Sequence, residues 1–101
     1  MKNWDEQAEK IMIERFGKDT VISLSTVENG IPYARYVNAY YEKGAFYIIT
    51  YALSTKMKHI EKNPTVAIAG DWFTAHGKNT IILCVELTDG LLLSHGTRYE
   101  F

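Results

Sequence analysis

Short apolar segments separated by glycine-containing turns constrain this chain more than any other feature of its sequence. Residues 21–27 (VISLSTV), 32–41 (PYARYVNAYY) and 45–51 (AFYIITY) are rich in β-branched and aromatic residues, which favour strands. Residues 28–30 (ENG) separate the first two segments and residues 42–44 (EKG) the last two. Asn-Gly and related pairs join neighbouring strands in tight hairpins. The first half of the chain therefore predicts three antiparallel strands.

The second half continues the same pattern. Residues 65–75 (TVAIAGDWFTA) read as a fourth strand with an irregularity at Gly70, followed by a turn at residues 76–79 (HGKN). A last hairpin is predicted from residues 80–87 and 91–99 around a turn at residues 88–90 (TDG). Six short strands joined in this way close most readily into an antiparallel barrel, which leaves no exposed sheet edge. The sequence thus predicts a mainly β fold, formed as a single domain over residues 1–101.

Two helices are predicted beside the strands. The first begins near Asn3, which can cap it, and ends at Gly17. Its apolar residues recur at helical spacing: Trp4, Ala8, Ile11, Met12 and Phe16. A short second helix, from about residue 54 to residue 62, lies between the third and fourth strands and is stopped by Asn63-Pro64.

Composition excludes several classes of protein. The net charge of −1, with acids and bases interspersed, argues against a general nucleic-acid binder, which carries a basic face. The apolar runs are far shorter than the ~20 residues that span a bilayer, and the N-terminus lacks a signal-peptide core. The single cysteine excludes an internal disulfide, and the three histidines lack metal-ligand spacing. We expect a cytoplasmic protein without a metal site.

The charges of the second helix oppose its dipole. Lys56 and Lys58 lie in or near its first turn, where a helix carries partial positive charge and a cation costs about 0.3–1 kcal/mol. A bound phosphate between Lys56, the free amides and the hydroxyls of Ser54 and Thr55 would reverse that cost. The alternative is an ordinary capped helix with a solvated lysine.

Arg35 raises a similar question within the second strand. It shares a strand face with Val37 and Ala39, and a charge among apolar neighbours needs a partner. That partner could be Asp71, Glu86 or a bound anion, or the arginine could reach solvent. Seven Tyr, four Phe and two Trp residues would suit a planar ligand, a dimer interface or the core of the sheet.

The order of these segments resembles a known family. The strand with Arg35-Tyr36-Val37-Asn38, the strand ending Ile49-Thr50-Tyr51 and the helix opened by Ser54-Thr55-Lys56 are similar to those of pyridoxamine 5′-phosphate oxidase-like flavoproteins. Within that family the general stress protein group is the most similar, through residues 69–74 (AGDWFT) and the ending at residues 87–99. The resemblance covers nearly the whole chain and implies a six-stranded FMN-binding split barrel.

The resemblance also implies a cofactor site. FMN would lie at the interface of a homodimer, with its phosphate held by Arg35 and Lys56 and by the hydroxyls of Ser54 and Thr55. The remaining implied contacts, with the flavin ring or its ribityl chain, are those of Tyr36, Val37, Asn38 and Thr50, and Trp72 of the second subunit.

Departures from the family pattern limit what it implies about activity. Tyr40 and Thr55 stand where the oxidases carry a lysine and an arginine, and their C-terminal substrate motif has no clear match. The connection near residues 76–80 is also shorter than in the stress-protein group. These departures argue against pyridoxamine phosphate oxidase activity itself, and no catalytic residue is identified. We expect an FMN-dependent oxidoreductase of unknown substrate; the alternatives are a non-catalytic flavin-binding stress protein and a small barrel that binds single-stranded nucleic acid.

Overall fold

Strand pairing dominates the fold of the chain. The computed structural model describes residues 3–49, 65–79 and 84–101, which form one helix and seven strands. The elements are α1 (Glu6–Phe16), β1 (Thr20–Glu28), β2 (Ile31–Glu42), β3 (Ala45–Ile49), β4 (Thr65–Gly70), β5 (Phe73–Asn79), β6 (Cys84–Ser94) and β7 (Thr97–Glu100).

The strands form one antiparallel sheet that closes on itself. Their order is β3-β2-β1-β4-β5-β6-β7, and β3 also pairs with β6 through Phe46 and Val85. The β3–β6 pairing makes a closed barrel of six strands, to which β7 is added as a partner of the end of β6. The predicted mainly β, six-stranded antiparallel barrel with an N-terminal helix is confirmed. The short helix predicted between β3 and β4 lies outside the described residues.

Two of the predicted turns are confirmed, and their backbone φ angles explain why the local sequence predicted them. Asn29 and Gly30 have φ values of 52° and 77°, and Lys43 and Gly44 have values of 45° and 82°. Consecutive left-handed residues are what a two-residue type I′ hairpin requires, and glycine reaches this region without steric cost. The β1–β2 and β2–β3 hairpins are therefore set by local sequence.

The second half of the chain differs from the prediction. Residues 65–75 are not one strand, because β4 ends at Gly70 and the chain turns before β5 begins at Phe73. The predicted turn at residues 76–79 is part of β5, and the predicted turn at residues 88–90 lies inside β6. The connection between β5 and β6 therefore falls at residues 80–83, which are not among the described residues.

An aromatic cluster inside the barrel accounts for the glycine at position 70. The rings of Phe16, Phe46 and Phe73 lie 5.6–6.1 Å apart between centroids, and all three side chains are fully buried. A Cβ atom at Gly70 would lie only 2.7 Å from the Phe16 ring. Phe16 of α1 thus packs directly on the backbone at the end of β4, where a larger residue would not fit.

Helix α1 packs its apolar face on the barrel, as predicted: Ala8, Ile11, Met12 and Phe16 are buried. The predicted cap at Asn3 is wrong. Asp5 is the N-cap, and its carboxylate accepts a hydrogen bond of 2.9 Å from the Ala8 amide. The Asn3 side chain accepts from the Glu100 amide instead, a tertiary contact that local sequence does not reveal. In the described ranges no helix is long and apolar enough to cross a membrane.

A buried hydroxyl joins α1 to the hairpin between β2 and β3. Tyr41 donates a short hydrogen bond to the Glu9 carboxylate and accepts one of 3.1 Å from the Gly44 amide. Trp4 donates to the same carboxylate at 3.1 Å. Burial, followed by the hydrogen bond to Glu9, raises the pKa of Tyr41 above its usual value. The folded protein therefore favours the protonated phenol.

We predict that Tyr41→Phe lowers the free energy of unfolding by about 1–3 kcal/mol at pH ~7, because Glu9 and Gly44 lose a buried partner. The phenol of the unfolded chain ionises near pH 10, below the raised pKa of the folded state. Wild-type protein should therefore lose this stabilisation as the pH rises above about 10. Urea unfolding at pH ~7 and ~10.5 should show a smaller difference between variant and wild type at the higher pH. Tyr36→Phe, on an exposed side chain, is the control, and an unchanged difference would contradict the prediction.

Candidate functional site

Four of the residues predicted to hold a cofactor are consecutive in β2, where they alternate between the two faces of the sheet. Val37 is buried and faces the barrel interior together with Arg35, whereas Tyr36 and Asn38 are exposed on the outer face. This arrangement follows from the two-residue period of a strand. The structure thus confirms that Arg35 shares the inner face with Val37, as the sequence predicted.

The Arg35 guanidinium reaches along the inner face to β1. Arg35 is opposite Leu24 in the strand register, and its Nη2 donates a hydrogen bond of 3.1 Å to the Thr26 hydroxyl. Thr26 itself is fully buried. The Nη1 atom of Arg35 is also buried, and it has no hydrogen-bond partner among the described residues. Burial lowers the pKa of Arg35.

Two of the partners considered for Arg35 are engaged or placed elsewhere. Asp71 lies 4.0 Å from Arg15 in an ion pair at the tip of the β4–β5 hairpin. Glu86 is exposed, whereas its neighbour Val85 faces the barrel interior with Arg35. Neither carboxylate neutralises the guanidinium. A buried donor without an acceptor is costly, so the geometry fits an anionic group that accepts from Nη1.

The backbone of β2 is also available beside Arg35. Residues 31–42 all belong to β2, but β3 pairs with this strand only from Asn38 onward. On that edge, no strand in the described part of the chain pairs with residues 31–37. Backbone groups of Tyr36 and Val37 on this edge thus have no strand partner among the described residues, and they lie next to a partly buried cation. This is the arrangement that the resemblance implied for a flavin edge.

The other predicted site residues do not join Arg35 in the described structure. Thr50, Ser54, Thr55 and Lys56 lie outside the described residues. Trp72 is 68% exposed at the β4–β5 turn, with φ of 49°. It lies beyond the end of β4 at Gly70, whereas Ile68 within that strand is in the same cross-strand row as Leu24 and Arg35. No hydrogen bond or ring contact joins Trp72 to Arg35 among the described residues, and its contribution from a second subunit stays a prediction.

Sequence reasoning missed Thr26 as the partner of Arg35. A threonine in a β-branched segment normally indicates only strand propensity. Its position gave a usable signal, because Thr26 follows Ile22 and Leu24 at intervals of two and so belongs to the buried face of β1. A buried hydroxyl on an apolar face needs a polar partner.

Comparison with known proteins now decides the family. The family model described as pyridoxamine 5′-phosphate oxidase matches residues 8–98. The chain belongs to this family. Its members are typically flavin-binding, oxidoreductase-like proteins, so the resemblance read from the sequence is confirmed at the level of the family.

A solved structure supports the same fold. The crystal structure of a NimC/NimA family protein from Clostridium acetobutylicum is similar with a TM-score of 0.60 and 16% sequence identity, over 91% of this chain and 92% of that one. At this identity the likeness shows the shared fold. A search of curated proteins gave no match.

Proposed function

We propose that this protein is an FMN-binding flavoprotein of the general stress protein group, acting as an oxidoreductase on a substrate still to be identified. The observation that carries the proposal is the buried Nη1 of Arg35, which has no partner among the described residues. A guanidinium offers a fork of donors that suits phosphate oxygens. Family membership makes a flavin the expected source of that phosphate.

Each residue has a defined part in this proposal. Arg35 binds the phosphate and is itself oriented by Thr26. Lys56, with the hydroxyls of Ser54 and Thr55, completes the phosphate site, and Thr50 contacts the flavin or its ribityl chain. Tyr36, Val37 and Asn38 of β2 border the ring, largely through backbone groups. The bound flavin supplies the redox chemistry, while the protein binds and orients it.

We further propose that the protein is cytoplasmic and that it forms a homodimer with the flavin at its interface. Three exposed apolar side chains surround Asn38 on the outer face of β1, β2 and β3. Val21 is opposite Asn38, and Asn38 is opposite Ile49; Tyr36 is two residues from Asn38 on the same face. Their exposed fractions are 58% for Val21, 83% for Tyr36 and 40% for Ile49. A patch of exposed apolar side chains around a single amide favours a protein partner.

The phosphate assignment predicts a difference between FMN and riboflavin, which lacks the phosphate. We expect Arg35→Ala to weaken FMN binding about tenfold to a hundredfold, since hydrogen bonds to charged groups contribute about 1.5–3 kcal/mol. Riboflavin binding should be unchanged. Quenching of flavin fluorescence measures both affinities. Arg98→Ala, which removes an exposed arginine from β7, is the matched control.

Two results would overturn this assignment. Unchanged FMN affinity in Arg35→Ala, also when combined with Lys56→Ala, would show that these residues do not hold the phosphate. Equal weakening of FMN and riboflavin would indicate that Arg35 only supports the fold. Wild-type protein that binds neither flavin would end the flavoprotein proposal itself.

The dimer proposal predicts that Val21→Glu produces a monomer, because a carboxylate would have to be desolvated within the patch. Sedimentation velocity measures the change. Gln7→Glu places the same charge on an exposed position of α1 and should leave the wild-type state unchanged. A wild-type monomer, or a dimeric Val21→Glu variant, would contradict the proposed interface.

The oxidoreductase and the flavin carrier are distinguished by reduction of the bound flavin. For an enzyme we expect anaerobic addition of NADH or NADPH to bleach the visible flavin absorbance, and oxygen or another acceptor to restore it. Dithionite, which reduces flavins chemically, provides the control for full bleaching. If dithionite bleaches the flavin and neither nicotinamide does, the carrier alternative is favoured.

A further inference from the structure

A shallow groove of about 590 Å³ lies on the outer face of β4, β5 and β6, away from the inner face that holds Arg35. Its floor is formed by the small residues Ser25, Ala67 and Ala69. These side chains are neighbours across β1 and β4, because Ser25 is opposite Ala67 and Ser23 is opposite Ala69. Small side chains in adjacent strands leave a flat surface between taller walls.

A β-bulge places a carboxylate at one wall of this groove. Val85 and Leu87 face the core, so strict alternation along β6 would also point Asp89 inward. Gly77 is opposite Leu87 and His76 is opposite Asp89, which leaves Thr88 as an extra residue. The extra residue reverses the alternation, so Asp89 emerges on the outer face beside His76 while Gly90 and Leu92 return to the inside. Bulges commonly re-aim side chains in this way.

His76 and Asp89 form an oriented pair. The Nδ1 atom of His76 lies 2.8 Å from Oδ1 of Asp89, and the Thr88 hydroxyl donates to the His76 carbonyl at 3.1 Å. A carboxylate only accepts hydrogen bonds, so Nδ1 carries the proton. In the neutral imidazole the other nitrogen, Nε2, is then an acceptor. The pair combines one negative charge with a fixed acceptor.

The rest of the groove restricts what can bind. Its described lining residues include the carboxylates of Asp89 and Glu100 and no Lys or Arg. Arg98 lies outside the groove, 3.9 Å from Glu100, and offsets part of the second charge. Phe101 borders the groove through its backbone, which is paired with Gly90 by hydrogen bonds of 3.1 and 3.2 Å. Its ring packs on the inner side of β6, where a Cβ at Gly90 would lie 2.5 Å from it.

We propose that this groove is a second ligand site, specific for a small planar cation that donates a hydrogen bond to Nε2 of His76. The flat floor of Ser25, Ala67 and Ala69 would contact the face of the ligand, and the carboxylate of Asp89 would stabilise the charge. None of the described lining residues is one that the flavin proposal names.

Benzamidine is a suitable probe, because it joins an aromatic ring to a cationic N–H donor. Benzoate keeps the ring and reverses the charge. We expect titration of the purified protein, followed by NMR, to show benzamidine binding at least tenfold more tightly than benzoate. The shifts should centre on His76, Ala67 and Gly90. Equal affinity for the two probes, or shifts centred elsewhere, would overturn the proposal.

Variants test the dyad and the floor separately. Asp89→Asn removes the charge and allows the side-chain amide to donate to Nδ1, so the imidazole proton moves to Nε2. Histidine ¹⁵N shifts should report this change of tautomer, and benzamidine affinity should fall at least tenfold. Ala67→Leu should block the floor while keeping the wild-type tautomer.

His95→Asn is the control, since it removes a histidine at another turn and asparagine tolerates its φ of 48°. Circular dichroism verifies that each variant folds. Retained benzamidine binding in both folded variants, Asp89→Asn and Ala67→Leu, would rule out the groove as the binding site.

Discussion

The pairing of β3 with β6 is the interaction on which the rest of the structure depends. It joins residues 45–47 to residues 84–86 and turns an open sheet into a barrel. Closure gives every strand an inner and an outer face, and three phenylalanine rings pack together among the apolar side chains of the interior. Loop-closure entropy opposes a contact between residues so far apart in sequence, so burial of that core must stabilise it.

Closure of the barrel also leaves the buried guanidinium of Arg35 incompletely paired. The alternation that buries Val37, Ala39 and Tyr41 also turns Arg35 inward, where one hydroxyl satisfies only part of the guanidinium. Burial of a cation is unfavourable unless it is paired. A bound anion would accept a hydrogen bond from the unpaired donor and offset this cost. This is the physical link between the fold and the proposed flavin phosphate site, and it requires no catalytic side chain.

The two faces of the sheet carry different chemistry for the same geometric reason. On the inside, polar groups are few and each needs a partner. On the outside, Val21, Tyr36 and Ile49 form an apolar patch near one side of the sheet, whereas His76 and Asp89 border a groove near the other. The extra residue in β6 decides this last feature, because without it Asp89 would point into the core. The extra residue therefore moves the Asp89 carboxylate from the apolar interior to the outer face.

Local sequence was sufficient wherever backbone conformation is a local property. The turns at Asn29-Gly30 and Lys43-Gly44, the buried face of α1 and the inward position of Arg35 all follow from φ preferences and from periods of 3.6 or 2. Tertiary structure decided the rest. Trp72 adopts a left-handed turn because the Leu93 amide holds its carbonyl and Arg15 holds that of Asp71. The motif at residues 88–90 became a bulge within β6 because β5 continues beside it. Such outcomes depend on which strands pair with one another, and local sequence patterns do not specify those pairings.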